Sequence, residues 1–195
     1  MMKSVWIAGC SSYETTGVMH LLKACGISAG LFRSGVRFRN GDTLILCLSS
    51  THLTGWWRYL RLIQWLERRH DIRFIVLCPA RIFSVKMPGG KNVIWSDGEA
   101  SQASVSAHLC SALNAGMIND THDTGEDIDA FWAYSLMCLR ETPSAEPGAG
   151  LIRKAYRRRL ALLQRLNLRS VHFLRIFMSG MAMRDTASGD VRQRR

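Results

Sequence analysis

The chain has 195 residues, of which 47% are hydrophobic, and this is enough apolar material for one ordinary domain or two small ones with a real core. Its formal net charge is +11, but residues 151–195 hold 12 of the 26 Lys and Arg and only 2 of the 15 Asp and Glu. The uneven charge predicts a polyanionic partner for the C-terminal part alone and excludes a uniformly basic protein.

Neither export nor membrane insertion is predicted. The sequence IAGC at Ile7–Cys10 resembles a lipoprotein cleavage box, but six residues precede it, whereas a signal peptide needs roughly 15–30. No uncharged apolar run approaches the roughly 20 residues of a membrane span. Six cysteines without regular paired spacing are not typical of a secreted disulfide framework. We therefore predict a soluble, cytoplasmic protein with no membrane partner.

Strands and helices are predicted to alternate over residues 1–116. Short apolar runs predict strands at 3–9, 42–48, 72–79 and 92–97. Helical spacing of apolar residues predicts helices at 11–25, 56–70 and 103–115. Gly26 supplies a stop for the first helix, and the stretch before the second strong strand leaves room for only an abbreviated strand and helix. This alternation predicts an α/β domain with a flavodoxin-like, mostly parallel sheet.

The helix at 56–70 carries its apolar residues on one side and arginines on the other. Trp56, Leu60, Ile63 and Leu66 follow each other at helical spacing. This pattern is typical of a helix that packs on a sheet and exposes a solvated basic side. A nucleic-acid surface is the alternative.

A different pattern follows residue 116. The acidic stretch 117–127 predicts a linker. A small all-α domain is predicted over 128–181, with helices at 128–141, 151–167 and 170–181 and a loop containing Pro147 and Gly150 between the first two. The polar tail at 182–195 is predicted to be flexible.

Two motifs in this order of elements resemble a known family. The stretch SSYETTGVMHLL at Ser11–Leu22 is similar to the entry into the first helix of response regulators of the LuxR/FixJ class. LLQRLNLRS at Leu162–Ser170 looks like the end of their recognition helix and the turn after it. The closest likeness is to atypical, RcsA-like auxiliary members. The resemblance implies a receiver-type domain followed by a helix-turn-helix domain, with double-stranded DNA and a response regulator or a second copy as partners.

The receiver-type domain is predicted to lack its phosphorylation chemistry. A phosphorylated receiver needs an acidic pair after the first strand to hold Mg²⁺, an aspartate after the third, a hydroxyl after the fourth and a lysine after the fifth. Placed on that pattern, the sequence has at these positions Gly9 and Cys10, Cys47, Cys78, and Ser96. We predict a degenerate phosphorylation pocket.

The three cysteines of this pocket allow two interpretations. Thiols are small and apolar, so Cys10, Cys47 and Cys78 fit as filling for a pocket that has lost its charges. The alternative is a shared metal or redox site at the strand ends. No histidine or CxxC pair lies in the same loops, which favours filling, and we predict no metal.

The helix at 151–167 is predicted to contact DNA. Ile152, Tyr156, Leu160 and Leu163 follow one another along one face and are predicted to hold the helix to its domain. Clustered cations beside that face attract phosphates. The predicted DNA-binding residues are Arg153, Lys154, Arg157, Arg158, Arg165 and Arg169. A solvated basic helix without DNA is the alternative.

The last predicted helix has more apolar residues than one buried stripe needs. Phe173, Leu174 and Phe177 are predicted to contact a dimer partner, as the resembled family implies, and core packing is the alternative.

The sequence contains no constellation of residues that indicates catalysis, and we predict neither an enzyme nor a cofactor. The combined interpretation is a phosphorylation-independent, DNA-binding transcriptional regulator that acts as a dimer or as an auxiliary partner of an intact response regulator. One alternative is a protein-binding modulator of a response regulator without DNA contact of its own. A thiol sensor is a weaker third interpretation.

Overall fold

The computed structural model describes residues 4–54, 56–85, 92–114 and 149–179, with the backbone alone for 149–152. The predicted linker at 117–127, the predicted helix at 128–141 and the tail at 182–195 lie outside the described residues. The chain divides into two compact units. The first comprises Met1–Thr51, Tyr59–Ser84 and Gly89–Asp123, and the second comprises His52–Arg58, Val85–Pro88 and Thr124–Arg195.

The first unit contains a five-stranded parallel sheet. Its strands are β1 (Val5–Gly9), β2 (Ala29–Leu31), β3 (Thr43–Cys47), β4 (Arg73–Cys78) and β5 (Val93–Asp97). They lie in the order β2-β1-β3-β4-β5 and are parallel throughout. The α/β prediction is confirmed, and this strand order is compatible with a flavodoxin-like domain.

Helices follow four of these strands, namely β1, β3, β4 and β5. They are α1 (Ser12–Ala24), α2 (Trp57–Arg69), the short α3 (Ala80–Phe83) and α4 (Gln102–Asn114). Every residue of the central strand β3 is buried, as expected for an apolar strand that is covered on both faces of a parallel sheet. Side chains of α1 and α4 pack on one face of the sheet, where Leu22 and Leu109 join Ile45 in the core.

Local signals in the sequence set the ends of α1. The Ser11 hydroxyl accepts a hydrogen bond from the backbone N–H of Glu14 and caps the start. At the other end Gly26 has a φ of 73°, and the N–H of Ile27 donates to the carbonyl of Leu22 at 2.8 Å. This is a Schellman arrangement, which favours glycine because the left-handed backbone penalises a Cβ. Gly26 thus ends the helix as predicted.

The connection from β2 to β3 contains no helix between residues 32 and 41. Gly35 and Gly41 have φ values of 97° and 85°, which interrupt a right-handed helix. The predicted abbreviated strand is present as β2, whereas the predicted abbreviated helix is wrong. The rings of Phe32 and Phe38 stack instead, with centroids 5.2 Å apart.

The described helices of the C-terminal part are α5 (Ala149–Arg165) and α6 (Val171–Phe177). Residues Ala149 and Gly150, predicted to be loop, belong to α5. The helix ends in a second Schellman arrangement: Asn167 has a φ of 54°, and the N–H of Leu168 donates to the carbonyl of Leu163 at 2.8 Å. Asparagine is one of the few residues other than glycine that tolerate this backbone.

The second unit also contains His52–Arg58, which the sequence placed in the first domain. Trp56 stacks near Phe177, with ring centroids 6.5 Å apart, and is fully buried. The indole N–H of Trp57 donates to the carbonyl of Ser179 at 2.8 Å. These contacts across more than a hundred residues explain the assignment of this segment to the second unit.

Candidate functional site

The strand ends of the first unit meet in one rung of the sheet. Gly9 pairs with Cys47, Cys47 with Leu77, and Leu77 with Ser96. Side chains along one rung of a parallel sheet point to the same face, and here Cys47 and Leu77 join the core beneath α1 and α4. Leu77, and not Cys78, therefore shares this rung with Cys47.

Cys78 lies one residue beyond this rung, where it pairs with Asp97. Because side chains alternate along a strand, its thiol points to the opposite face of the sheet from Cys47. The Cys78 thiol donates to the carbonyl of Ser96 at 3.4 Å. Cys10 is exposed, and its sulfur lies 3.5 Å from the hydroxyl oxygen of Tyr59. The pocket thiols thus have three different surroundings.

Burial makes two of these thiols poor nucleophiles. It raises the pKa of Cys47 far above its ordinary value, and the charge of Glu14 adds to the shift. Burial, with a further contribution from Asp97, raises the pKa of Cys78 to about 12. A thiol reacts and binds metals as the thiolate, so at neutral pH both side chains behave as small apolar groups. Within the described ranges, no three His, Cys, Asp or Glu residues form a group that could hold a metal ion.

Gly9 stands where a receiver would carry an acidic residue, and it has no room for a side chain. A Cβ built there would lie 2.7 Å from the Cβ and from the carbonyl oxygen of Cys47, and 2.9 Å from the Cγ2 of Thr15. The backbone of β3 is one of these neighbours and cannot move aside cheaply. An acidic side chain is thus absent from this position in the sequence, and packing would also exclude one.

A carboxylate does reach this edge of the sheet, but it comes from α1. Both side-chain oxygens of Glu14 accept hydrogen bonds from the loop after β3. One oxygen accepts from the backbone N–H and the hydroxyl of Ser49, at 3.0 and 2.6 Å. The other accepts from the N–H and the hydroxyl of Ser50, at 3.5 and 3.2 Å. The donors that an anionic ligand would need after β3 are therefore engaged by the chain's own carboxylate.

Sequence reasoning missed Glu14. The signal was present, since Ser11 and Glu14 have the spacing of a capping box, in which the acid returns to the start of its own helix. In the structure Glu14 turns to Ser49 and Ser50 instead.

Asp42 and Asp97 lie just before β3 and at the end of β5, and neither stands at the end of β3. Asp42 precedes β3 at the opposite edge of the sheet, and it accepts from the backbone N–H groups of Ser4 and Arg39 at 2.9 and 3.0 Å. Burial by itself would raise its pKa, but these hydrogen bonds and the charge of Arg39 outweigh burial and lower the pKa of the carboxyl. Asp97 ends β5 and accepts from the N–H of Glu99 at 2.9 Å.

The basic helix α5 exposes most of the predicted DNA-binding residues. We call these exposed residues the cationic face: Arg153, Lys154, Arg157 and Arg165 on α5, and Arg169 just beyond it. Arg158 was predicted to belong to the same surface, but it is half-buried.

The buried side of α5 differs from the predicted one. Leu162 and Leu166 are each 2% exposed and hold the helix in its unit. Tyr156 and Leu160, predicted to do this, are 66% and 42% exposed. The side chain of Ile152 lies outside the described residues. The prediction failed because the apolar stripe on α5 is wider than one buried face, and packing within the unit selects which part is covered.

Two of the predicted partner contacts on α6 are part of the unit's own core. Leu174 and Phe177 are each 2% exposed, and Phe177 lies against Trp56. They cannot contact a partner from these positions, so the alternative of core packing is correct for them. Phe173 is half-buried.

A disulfide that the cysteine spacing did not predict joins α1 to α4. It links Cys25 at the end of α1 to Cys110, 85 residues further along the chain. Cys25 is exposed and Cys110 is half-buried. This disulfide involves none of the three cysteines of the predicted pocket.

No protein-family model, no curated protein and no solved structure matches this chain. The resemblance to LuxR/FixJ regulators thus depends on the sequence motifs, and it stays a prediction. Across the residues described above, no helix has the length and apolar character needed to cross a membrane.

Proposed function

We propose that this chain is a phosphorylation-independent, DNA-binding transcriptional regulator. The observation that carries the proposal is the cationic face of α5, whose members are exposed on or beside a 17-residue helix. Residues 151–179 contain eight Lys and Arg and no Asp or Glu. Such a surface binds DNA by releasing the counterions that surround the phosphates.

The shape of α5 suits this role. A helix with its side chains is about 10–12 Å wide, and the major groove is about 12 Å wide. In the proposed complex α5 is the recognition helix, with Lys154 and Arg157 at the phosphates and its exposed side towards the base edges.

The first unit acts in this proposal as a receiver-type domain that no longer responds to phosphate. Three features support this role: Cys47 is buried at the acceptor position, Gly9 leaves no space for an acidic side chain, and Glu14 occupies the donors of the loop after β3. In this proposal the first unit binds a partner, which is either a second copy of the chain or an intact response regulator that supplies further DNA contacts.

A salt titration tests the DNA contact. The variant Lys154→Ala/Arg157→Ala removes two exposed charges from α5, and its binding to a mixed-sequence duplex is measured by fluorescence anisotropy over a range of salt concentrations. Each phosphate contact contributes about 0.9 to the slope of log K against log salt. We expect the slope to fall by about 2 units, with weaker binding and an unchanged circular dichroism spectrum.

The matched control is Arg33→Ala/Arg37→Ala, which removes two exposed charges from the loop between β2 and β3. It should leave the slope unchanged. An equal loss of slope in both variants would mean that net charge alone binds DNA. A full slope and full affinity in Lys154→Ala/Arg157→Ala would remove α5 from the interface.

A second candidate function is a protein-binding modulator without DNA contact. The exposure of Tyr156 and Leu160 favours it, since large apolar side chains on one helix face are common in protein interfaces. The duplex titration separates the two functions, because a modulator of this kind does not bind the duplex at any salt concentration.

A further inference from the structure

We propose that a groove between α5 and α6 docks an acidic, amphipathic segment of a protein partner. The proposal deepens the function proposed above, on which it rests for the existence of such a partner. The groove has a volume of about 580 Å³. Its lining comes from both helices and the turn between them, from Tyr156 on α5 to Arg175 on α6.

The charge of the groove indicates an acidic occupant. Arg169 and Arg175 line it together with His172, and among the described residues that line the groove none is acidic. A carboxylate near several arginines gains charge-assisted hydrogen bonds, which are roughly twice as strong as neutral ones.

The apolar part of the groove indicates that the partner also makes apolar contacts, in addition to charged ones. Tyr156 and Leu160 are one helical turn apart and are 66% and 42% exposed. Leu163 and Val171 beside them are half-buried. Covering such side chains removes apolar surface from water and so favours binding. The best fit is a segment that alternates acidic and apolar side chains at helical spacing.

The shape of the groove favours a protein over DNA. A duplex is read by an element that enters its major groove, whereas this surface is a hollow between two helices and accepts a protruding side chain. The groove and the cationic face share Arg169, but Lys154 and Arg165 are more than 100° away from Tyr156 around the helix at 100° per residue. Neither Lys154 nor Arg157 lines the groove, so these two residues can be altered separately from it.

The probe is a fluorescein-labelled synthetic peptide with Glu and Leu on opposite sides of a helix. Its binding to the full chain is followed by fluorescence anisotropy. We expect Tyr156→Ala/Leu160→Ala and Arg175→Glu each to weaken binding at least tenfold. Lys154→Ala/Arg157→Ala should bind the peptide like the unaltered chain while losing affinity for the duplex. A peptide with Lys in place of Glu, and one with Ser in place of Leu, should not bind.

A second measurement avoids reliance on the variants' folding. Addition of the Glu/Leu peptide to the ¹⁵N-labelled full chain should perturb the amide signals of Ser170 and Val171 and leave those of β3 unchanged. Perturbation at β3 without any at the groove would overturn the proposal.

Other occupants give other results. If Arg175→Glu and Tyr156→Ala/Leu160→Ala weaken duplex binding while the peptide does not bind, the groove is a nucleic-acid surface and the proposal is wrong. Self-association that Arg175→Glu abolishes, again without peptide binding, would identify a second copy. Peptide binding only after the acids of residues 117–127 are neutralised would identify the chain's own segment. Loss of the duplex slope in Lys154→Ala/Arg157→Ala tests the proposed function and leaves the groove untouched.

Discussion

At the scale of single residues, packing and hydrogen bonds decide what the side chains at the carboxyl ends of the strands can do, and residue type alone does not. Glycine at position 9 would be compatible with many roles, but a Cβ at this position would lie 2.7 Å from Cys47 of β3, so only glycine fits. Glu14 is a second case: its spacing from Ser11 is that of a helix cap, but its carboxylate accepts hydrogen bonds from the loop after β3. The residues at this edge of the sheet thus make contacts that their residue types alone do not indicate.

Asp42 provides a prediction at this scale. Its pKa is lowered in the folded chain, so the carboxylate contributes stability above the ordinary carboxyl pKa of about 4, and this stability is lost as the pH falls through the lowered folded value. We expect Asp42→Asn to lower the free energy of unfolding at pH 7 by about 2 kcal/mol, since hydrogen bonds to a charged group contribute about 1.5–3.

Urea titrations at several pH values measure this effect. The difference between Asp42→Asn and the unaltered chain should be constant from pH 6 to pH 8 and shrink below about pH 4. The matched control is Asp71→Asn, since Asp71 is an exposed carboxylate close by in the loop before β4. A difference that grows on acidification would show the opposite sign of the pKa shift.

At the scale of elements, α1 is tied to its neighbours in two ways. Its first turn holds the loop after β3 through Glu14, and its last residue is followed by Cys25, which is bonded to Cys110 on α4. Both helices cover the same face of the sheet. Closing a long loop removes conformations from the unfolded chain, so the bond is expected to stabilise this layer.

Removal of the disulfide gives the prediction for this scale. The variant Cys25→Ser/Cys110→Ser should lose about 2–4 kcal/mol of unfolding free energy in non-reducing buffer. Addition of a dithiol reductant should bring the unaltered chain to the stability of the variant and leave the variant unchanged. Denaturation by urea, followed by circular dichroism, measures both.

Cys10→Ser is the matched control, because Cys10 is an exposed cysteine outside the disulfide. It should retain the response to reductant. Equal stability of the unaltered chain and Cys25→Ser/Cys110→Ser without reductant would show that the bond contributes nothing. In a reducing cytoplasm Cys25 and Cys110 would be thiols. The disulfide therefore does not support the cytoplasmic location predicted from cysteine spacing, which stays a prediction.

At the scale of the whole molecule, charge and chemistry are divided along the chain. Residues 1–150 are almost neutral, with 14 basic and 13 acidic residues, while the basic excess falls in 151–195. The near-neutral part contains the buried Cys47 and the contacts of Glu14 with the loop after β3, and the basic part contains α5. This division agrees with the proposed function, in which DNA binding does not require a phosphoryl group.

Insensitivity to phosphodonors is the prediction for the full chain. Incubation with acetyl phosphate and Mg²⁺ should add no phosphoryl group and leave duplex affinity unchanged, because the acceptor position is a buried thiol and Glu14 fills the donors nearby. Intact-mass spectrometry and the duplex titration are the measurements. Beryllofluoride, a non-covalent phosphoryl mimic, serves as a second probe and should leave the amide spectrum unchanged. A phosphoryl group on Asp97 or Asp42 would contradict the prediction.

The sequence by itself determined features whose causes lie within a few residues of each other. Strand positions follow from short apolar runs, and the end of α1 follows from Gly26. The buried side of α2 was also predicted, since Leu60 and Ile63 are each 3% exposed. Strongly buried runs, helical spacing and left-handed turn residues act locally, so they can be recognised without knowledge of the rest of the chain.

Only the tertiary structure decided which surfaces are covered and which distant residues meet. A shift of one residue in register places Leu77 beside Cys47 and turns Cys78 to the other face of the sheet. The stripe of α5 was wide enough for two burial choices, and packing left Tyr156 exposed while it buried Leu162. The bond from Cys25 to Cys110 likewise joins residues 85 positions apart. Such outcomes depend on packing between residues that are distant in the sequence. A local sequence pattern describes only one side of each such contact.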